Sequence, residues 1–244
     1  MSRPLRVHFV HGLESGPTSG KVSGMKDLGL EVSAPDMHMS IWRMDKRNSM
    51  VRNLLRMWQP WTAALMLLGA LPMAIWGNPW SAGAMFLGAI LWGRLRNKAW
   101  VAQALDRSRS ACVEIQKSVL KQASPDVVVG SSWGGAVLIE LVLQGAWEGP
   151  VLLMAPALER VEGRINPAAA AKKRARLHQH PHPIRILHAP EDEVVPYADS
   201  ELLAHGDIVL TPVPGDDHRL LGTLQSGVLI RELEALAGRE HGAG

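Results

Sequence analysis

Residues 130–135 read Gly-Ser-Ser-Trp-Gly-Gly and place Ser132 at the centre of a Gly-x-Ser-x-Gly pattern. The pattern lies between a mostly apolar run at residues 126–129 and an apolar segment at residues 136–143. Small glycines let the chain turn tightly from strand to helix, and the helix dipole favours negative charge near the serine hydroxyl. The pattern therefore predicts that Ser132 is a nucleophile, rather than a chance serine in a glycine-rich turn.

A serine hydroxyl is a weak nucleophile near neutral pH and needs a base that a third group orients. For a serine in this setting the expected chain order is serine, then acid, then histidine. Two later stretches each consist of an apolar run followed by a polar loop: residues 184–196 contain Asp192, and residues 208–218 end at His218. Since parallel strands end at one edge of a sheet, we expect both side chains to converge on Ser132.

Neighbouring residues could also supply the acid. Glu191 and Glu193 flank Asp192, but neighbours in an extended loop point in different directions, and we therefore predict Asp192 as the acid. Asp216 and Asp217 lie beside the histidine and stay open as a local carboxylate, although a solvated pair in a loop is the simpler interpretation.

Other histidines have structural interpretations. Alternate positions of a proline-bracketed stretch carry histidine, a spacing that could suggest a metal site: His178, His180 and His182. Because no carboxylate lies nearby, we interpret residues 168–182 as an exposed connection without a metal. His11 is expected to shape a turn, and His188 to have a structural role at the end of a strand.

The elements that must position these residues follow from the hydrophobic pattern. Short apolar runs predict strands at residues 5–10, 30–34, 126–129, 151–154, 184–187 and 208–211. Helical spacing is found at residues 23–30, 97–122, 136–143, 198–203 and 221–236. Strands that alternate with helices indicate an α/β fold, with a mostly parallel sheet flanked by helices.

Taken together, these motifs resemble the α/β-hydrolase superfamily, in its small serine esterase group with a reduced N-terminal sheet. The matching stretches are His11-Gly12 after the first strand, the Gly-x-Ser-x-Gly turn, the loop around Asp192, and Gly-Asp-Asp-His218. They span nearly the whole chain outside an apolar insertion. One departure is Ala189, since the family usually has glycine at this point of the acid loop.

The resemblance implies a triad in which Ser132 is the nucleophile, His218 is the general base and Asp192 orients the imidazole. It also implies an oxyanion hole made by the backbone N–H groups of Leu13 and Trp133. The reaction expected from these roles is the cleavage of a carboxylic ester or thioester through an acyl-enzyme. No metal or organic cofactor is needed for it.

Residues 57–93 are 37 residues without a single charge, and a hydrolase core does not need them. As helices, residues 58–76 would reach about 28 Å and residues 79–92 about 21 Å, against a hydrocarbon core of about 30 Å. Tryptophans at the segment ends and clusters of Lys and Arg on both sides are typical of membrane proteins. We therefore predict a helical hairpin that associates with a membrane, its first part nearly long enough for a transmembrane helix, after an amphipathic lead-in at residues 42–56.

Composition limits the other functional classes. A formal net charge of +3 over 244 residues is too small to argue for a nucleic-acid partner. The single cysteine, Cys112, excludes an intramolecular disulfide and a cysteine-based metal cluster. The first residues lead directly into a strand, so we expect no signal peptide and a location on the cytoplasmic side of a membrane.

The sequence thus predicts a hydrolase core at residues 1–41 and 94–244, interrupted by an insertion at residues 42–93. Its expected partners are a small ester or acyl-lipid substrate and, through residues 57–93, membrane lipid. Two alternatives remain open. One is a soluble carboxylesterase, whose insertion is a hydrophobic lid or an oligomerisation arm. The other is a catalytically silent scaffold that binds a partner through the hairpin.

Overall fold

A computed structural model of the chain describes residues 3–77 and 79–238. The strands in these residues are, in chain order, β1 (Arg6–Val10), β2 (Glu31–Ser33), β3 (Met39–Ser40), β4 (Asn48–Ser49), β5 (Val127–Ser131), β6 (Val151–Met154), β7 (Ile184–His188) and β8 (Val209–Pro212). Six of them form one sheet in the order β2-β1-β5-β6-β7-β8, and every neighbouring pair is parallel. The prediction of an α/β fold with a mostly parallel sheet is therefore confirmed.

The helices in the described residues are, in chain order, α1 (Gly20–Asp27), α2 (Met50–Leu55), α3 (Trp58–Trp76), α4 (Pro79–Ala123), α5 (Trp133–Leu143), α6 (Pro167–Leu177), α7 (Tyr197–Glu201), α8 (Gly222–Gln225) and α9 (Val228–Leu236). A short π-helical turn spans Glu159–Gly163. The closing helix that the sequence predicts at residues 221–236 is divided into α8 and α9 at Gly227, whose φ of 70° ends the first helix.

The four inner strands of the sheet, β1, β5, β6 and β7, are buried on both faces, as expected for parallel strands covered by helices. Alternate residues of β1 point to opposite faces. Val7 and Phe9 belong to a buried apolar cluster that also includes residues of α1 and α9. On the other face the His8 ring is hydrogen-bonded at 2.6 Å to Gln116, in the last part of α4. All five residues of β5 are buried, which holds this strand rigidly at the centre of the sheet.

The strand order reverses between β1 and β5. The chain adds β2 on one side of β1, and then continues on the other side with β5 through β8. In open parallel sheets such a reversal leaves a crevice at the carboxyl ends of the two strands, where ligands usually bind. The loop after β1 and the turn after β5 begin at this point.

The chain divides into two compact units, one of residues 1–39 and 111–244 and the other of residues 40–110. β3 and β4 form a separate two-stranded pairing. The second unit contains β4, α2, α3 and the first part of α4. Within this unit Gly69 of α3 lies against Met85 of α4, since a methyl group on Gly69 would be 3.2 Å from Met85 Cε.

Two expectations for the insertion need correction. In the described residues no helix is both long enough and apolar enough to cross a membrane, contrary to the expectation of a transmembrane helix at residues 58–76. The physical reason is composition: α3 includes Gln59, Thr62 and two prolines, and the uncharged part of α4 ends before Arg94. The second correction is that α4 continues unbroken to Ala123, whereas the sequence predicts separate helices at residues 79–92 and 97–122.

The expected exposed connection at residues 168–182 is in fact helical in its first part, as α6. Asn166 caps this helix, because its side-chain oxygen accepts a hydrogen bond from the Ala169 N–H at 3.1 Å. Pro167 occupies the first turn, where the lack of an N–H group does no harm. The alanine-rich run that follows has a high intrinsic helix propensity.

Candidate active site

Ser132 lies at the sharp turn between β5 and α5, with φ of 54° and ψ of −117°. A positive φ is strained for a residue with a side chain, and such strain persists only where the surroundings fix the backbone. Here the Ser132 N–H donates to the carbonyl oxygen of Met154 at 2.9 Å, and the Ser132 carbonyl accepts from Gly135 and Ala157. The turn therefore presents the hydroxyl at the N-terminus of α5.

The glycines around the serine are required by close backbone contacts. A methyl group on Gly134 would overlap the carbonyl oxygen of Val10 and would lie 2.5 Å from that of His11. A methyl group on Gly130 would be 2.8 Å from the Gly134 carbonyl oxygen. These contacts let β1, β5 and the start of α5 approach one another more closely than any side chain would allow.

Three predicted residues meet at the carboxyl ends of their strands. His218 Nε2 lies 2.9 Å from Ser132 Oγ, and His218 Nδ1 lies 2.7 Å from Asp192 Oδ2. Asp192 follows β7 and His218 follows β8, while Ser132 follows β5. The structure thus brings together side chains that are up to 86 residues apart in the sequence.

The Asp192 carboxylate is buried, and its Oδ1 atom accepts two hydrogen bonds from the backbone. Oδ1 accepts from the Val194 and Val195 N–H groups at 2.8 and 2.9 Å. Burial by itself would raise the pKa of Asp192, but the hydrogen bonds from His218, Val195 and Val194 outweigh it and hold the pKa below its ordinary value. The carboxylate is therefore ionised at neutral pH and can orient a neighbouring imidazole.

The competing acidic residues have other contacts. Asp216 Oδ1 accepts from the Asp217 N–H at 2.9 Å, and Asp217 Oδ1 accepts from the Arg219 N–H at 2.7 Å. Glu191 is exposed and accepts from the Gly215 N–H at 3.3 Å. Their carboxylates organise the loop that carries His218. The His218 ring itself contacts the carboxylate of Asp192.

The loop after β1 lies directly against the nucleophile turn. A methyl group on Gly12 would be 3.3 Å from the Ser131 carbonyl oxygen and 3.5 Å from Ser132 Cβ. The buried His11 ring holds this loop, because its Nδ1 lies 2.9 Å from the Gly12 carbonyl oxygen and its Nε2 accepts from the Met37 N–H at 3.0 Å. Leu13, a predicted oxyanion donor, follows immediately.

Trp133, the second predicted oxyanion donor, is the first residue of α5. In the part of the chain that the structure describes, the N–H groups of Leu13 and Trp133 donate no hydrogen bond to another protein atom. The first N–H groups of a helix have no partner within the helix, and they favour negative charge. Neither N–H group therefore has a protein acceptor in this part of the chain, which is a requirement for the predicted role as an oxyanion donor.

Sequence reasoning missed Lys21. Its Nζ donates to Ser131 Oγ at 2.6 Å, so that a cation of α1 lies beside the nucleophile turn. Burial lowers the pKa of Lys21 to about 8, although the charges of Asp216, Asp217 and Asp192 oppose this shift. No local sequence signal could have found this contact, because the two residues are 110 positions apart.

Because the pKa of Lys21 is lowered in the folded protein, we expect the free energy of unfolding to depend on pH. Between about pH 8 and pH 10.5 the unfolded chain binds more protons at this residue than the folded chain, so the free energy of unfolding rises with pH over that range. The Lys21→Met variant lacks this contribution. We expect the urea midpoint of the wild type to increase relative to that of Lys21→Met as the pH rises from 8 towards 10.5. Parallel pH dependence of the two proteins would contradict the shifted pKa.

Cys112 is fully buried in α4, and burial raises the pKa of its thiol to about 12. The thiolate is the reactive form of cysteine, so this residue is expected to be inert in the folded protein. Ellman's reagent should leave the native chain unmodified at neutral pH and should titrate one thiol per chain after unfolding in urea. Rapid modification of the native protein would show that Cys112 is accessible.

The alternating histidines have separate contacts. His178 Nε2 lies 3.3 Å from the Leu203 carbonyl oxygen, and His180 Nε2 lies 2.9 Å from that of Gly149. Within residues 3–77 and 79–238, no group of three or more His, Cys, Asp or Glu side chains could hold a metal ion. His178 and His180 therefore connect the end of α6 to neighbouring segments through contacts with backbone carbonyl oxygens.

The chain is similar to solved structures of hydrolases, two of which are the following. A predicted CIB-like hydrolase from Thermoplasma acidophilum has a TM-score of 0.51 at 14% sequence identity, over 97% of this chain and 88% of its own. Est1E from Butyrivibrio proteoclasticus has a TM-score of 0.51 at 10% identity, over 96% and 89%. No protein-family model and no curated protein matches the sequence. At these identities the likeness concerns the fold alone, and it agrees with the expected α/β-hydrolase fold.

Proposed function

We propose that the protein is a serine hydrolase that cleaves carboxylic esters or thioesters through an acyl-enzyme. The observation that carries this proposal is the chain of two hydrogen bonds from Asp192 through His218 to Ser132, at 2.7 and 2.9 Å. This arrangement gives a serine hydroxyl an oriented base, which is the requirement for nucleophilic catalysis near neutral pH.

In the proposed reaction Ser132 Oγ attacks the substrate carbonyl carbon while its proton passes to His218 Nε2. The tetrahedral intermediate places its oxyanion at the N–H groups of Leu13 and Trp133. His218 then gives the proton to the leaving alcohol or thiol, and the acyl group remains on Ser132. Water repeats the sequence, with His218 again taking and returning one proton, and releases the carboxylic acid. Asp192 keeps a proton on Nδ1 of the ring, so that Nε2 faces the serine as an acceptor.

The direct test is covalent labelling with a fluorophosphonate, which reacts preferentially with activated serines. We expect one label per chain, located by peptide mapping on Ser132. The His218→Gln variant is the matched control, because glutamine keeps the size of the side chain without supplying a base. A wild-type chain that never labels would contradict the proposal and favour a silent scaffold. Labelling of His218→Gln at the wild-type rate would instead overturn the assignment of His218 as the base.

The membrane setting is a further part of the proposal. Large apolar side chains in α3 and the first part of α4 are exposed: Trp61, Leu65, Leu68, Leu71, Ile75, Trp76, Trp80, Leu87 and Leu91. Exposed basic residues flank this surface in the sequence, at Arg47, Arg56, Arg94, Arg96 and Lys98. Apolar surface of this extent marks an interaction site, and the basic residues match the charge of cytoplasmic lipid. We propose that residues 57–93 lie on the cytoplasmic face of a membrane.

Flotation with liposomes tests this setting. Trp76 and Trp80 are 84% and 85% exposed, so their replacement by serine removes apolar area without opening the core. We expect Trp76→Ser/Trp80→Ser to bind anionic liposomes less than the wild type does. Trp42→Ser is the matched control, because Trp42 is 76% exposed but lies before the apolar stretch. Failure of the wild type to float with the liposomes would remove membrane lipid from the proposal and favour the lid. Equal binding by all three proteins would contradict the proposed role of the apolar stretch in that binding.

The substrate class follows from this setting. An enzyme held at a lipid surface meets apolar esters there, and we propose acyl-lipids or similar esters as its substrates. A chain-length series of p-nitrophenyl esters, assayed with and without liposomes, is the measurement. Longer acyl chains should be favoured, and more strongly when liposomes are present. A preference for short chains that liposomes leave unchanged would favour a soluble carboxylesterase.

A further inference from the structure

The acid of the proposed triad is shared by two histidines. Asp192 Oδ2 lies 2.7 Å from His218 Nδ1 and 3.1 Å from His188 Nε2. His188 is the last residue of β7 and is completely buried, whereas the His218 side chain is partly exposed. With two backbone donors on Oδ1, the carboxylate has a partner in each of its four acceptor directions.

The contacts of His188 define its protonation. Its Nε2 faces two acceptors, Asp192 Oδ2 and the Val195 carbonyl oxygen at 3.0 Å, so this nitrogen carries the proton. Its Nδ1 lies 2.6 Å from Ser200 Oγ, a hydroxyl that can donate to it. Burial lowers the pKa of His188, against the opposing effect of Asp192, and the ring is neutral. His188 therefore acts on the carboxylate as a fixed, uncharged donor.

We infer that His188 is a positioning residue that holds Asp192 Oδ2 towards His218, an inference that rests on the proposed hydrolase function. The Val194 and Val195 N–H groups fix the position of Oδ1. They do not fix Oδ2, which could still move by rotation of the carboxyl group. His188 supplies the second fixed point. Its own position is set by β7, by Ser200 of α7 and by the Tyr197 ring, whose centre is 5.4 Å from that of His188. The acid is thus anchored to the sheet rather than to its loop alone.

A matched pair of variants distinguishes the effect of losing the N–H donor of His188 from the effect of losing the volume of its ring. Glutamine and methionine are both unbranched and similar in length, but only glutamine can donate an N–H to Asp192. We expect His188→Met to lower kcat by about 10- to 100-fold with KM changed little, because a displaced acid misaligns the base. His188→Gln should retain kcat within about fivefold of the wild type. Urea midpoints measured on both variants identify any loss that is due to unfolding.

A double-mutant cycle with Asp192→Asn shows whether His188 acts through the acid. If it does, His188→Met should lower the residual kcat of Asp192→Asn by less than about threefold. The inference would be overturned if His188→Met lowered kcat by the same factor in the wild type and in Asp192→Asn. It would also be overturned if His188→Gln and His188→Met lost kcat equally, and His188 would then be a structural residue. Full turnover by Asp192→Asn itself would instead count against the proposed function, so the two failures are distinguishable.

Discussion

The Ser132→Ala variant is expected to lose ester hydrolysis by at least about 10⁴-fold, and to unfold at the same urea concentration as the wild type. Without Oγ there is no atom to form the acyl-enzyme, so only the electrostatic contribution of the backbone donors remains. Alanine tolerates the strained φ of 54° no worse than serine does, because both carry a Cβ. Stopped-flow assays with an activated ester should also show that the burst of leaving group disappears.

Ser131→Ala is the matched control for this loss. Ser131 is the neighbouring residue and undergoes the same chemical change, but its hydroxyl accepts from Lys21 rather than facing His218. We expect this variant to keep more than about a tenth of the wild-type kcat/KM. If the two alanine variants lost activity equally, the assignment of Ser132 as the nucleophile would be wrong.

Gly134→Ala is expected to prevent folding, or to lower the free energy of unfolding by more than about 4 kcal/mol. The new methyl group would overlap the Val10 carbonyl oxygen and would lie 2.5 Å from that of His11. Both atoms belong to the backbone at the end of β1, which is hydrogen-bonded into the sheet, so neither can move aside cheaply. Circular dichroism and urea denaturation measure the effect.

Gly20→Ala provides the comparison. Gly20 begins α1, and a methyl group there would have its nearest neighbour, Leu221, at 3.9 Å, an ordinary contact distance. Because alanine also has a better helix propensity than glycine, we expect the stability to stay within about 1 kcal/mol of the wild type. Wild-type stability of Gly134→Ala would mean that β1 and α5 are farther apart in solution than in this structure.

The proposed catalytic residues could be located from sequence because each follows a short apolar run. The Gly-x-Ser-x-Gly pattern and the order of serine, acid and histidine selected Ser132, Asp192 and His218, and because parallel strands end at one edge of a sheet, the three side chains could be expected to lie together. The same reasoning correctly predicted the class of fold. Helix ends were harder: basic residues at positions 94, 96 and 98 suggested a stop, yet Arg and Lys are good helix formers and α4 continues through them.

Other features had a local signal that went unused, or none at all. Asn166-Pro167 before an alanine-rich run is a recognisable helix start, and it would have predicted α6. The contact of Lys21 with Ser131 had no local signal, because the two residues are 110 positions apart and meet only where α1 packs beside the nucleophile turn. His188 and Asp192 are four positions apart, but that spacing alone does not indicate that the ring donates to the carboxylate.

The second compact unit, residues 40–110, lies between the proposed catalytic residues in the sequence. Leu13 precedes it, whereas Ser132, Asp192 and His218 all follow it. A protease that nicked this stretch would leave the entire triad on one fragment and a single oxyanion donor on the other. The ladder between β1 and β5 would still join the pieces, so such a severed chain retains every group that the chemistry requires.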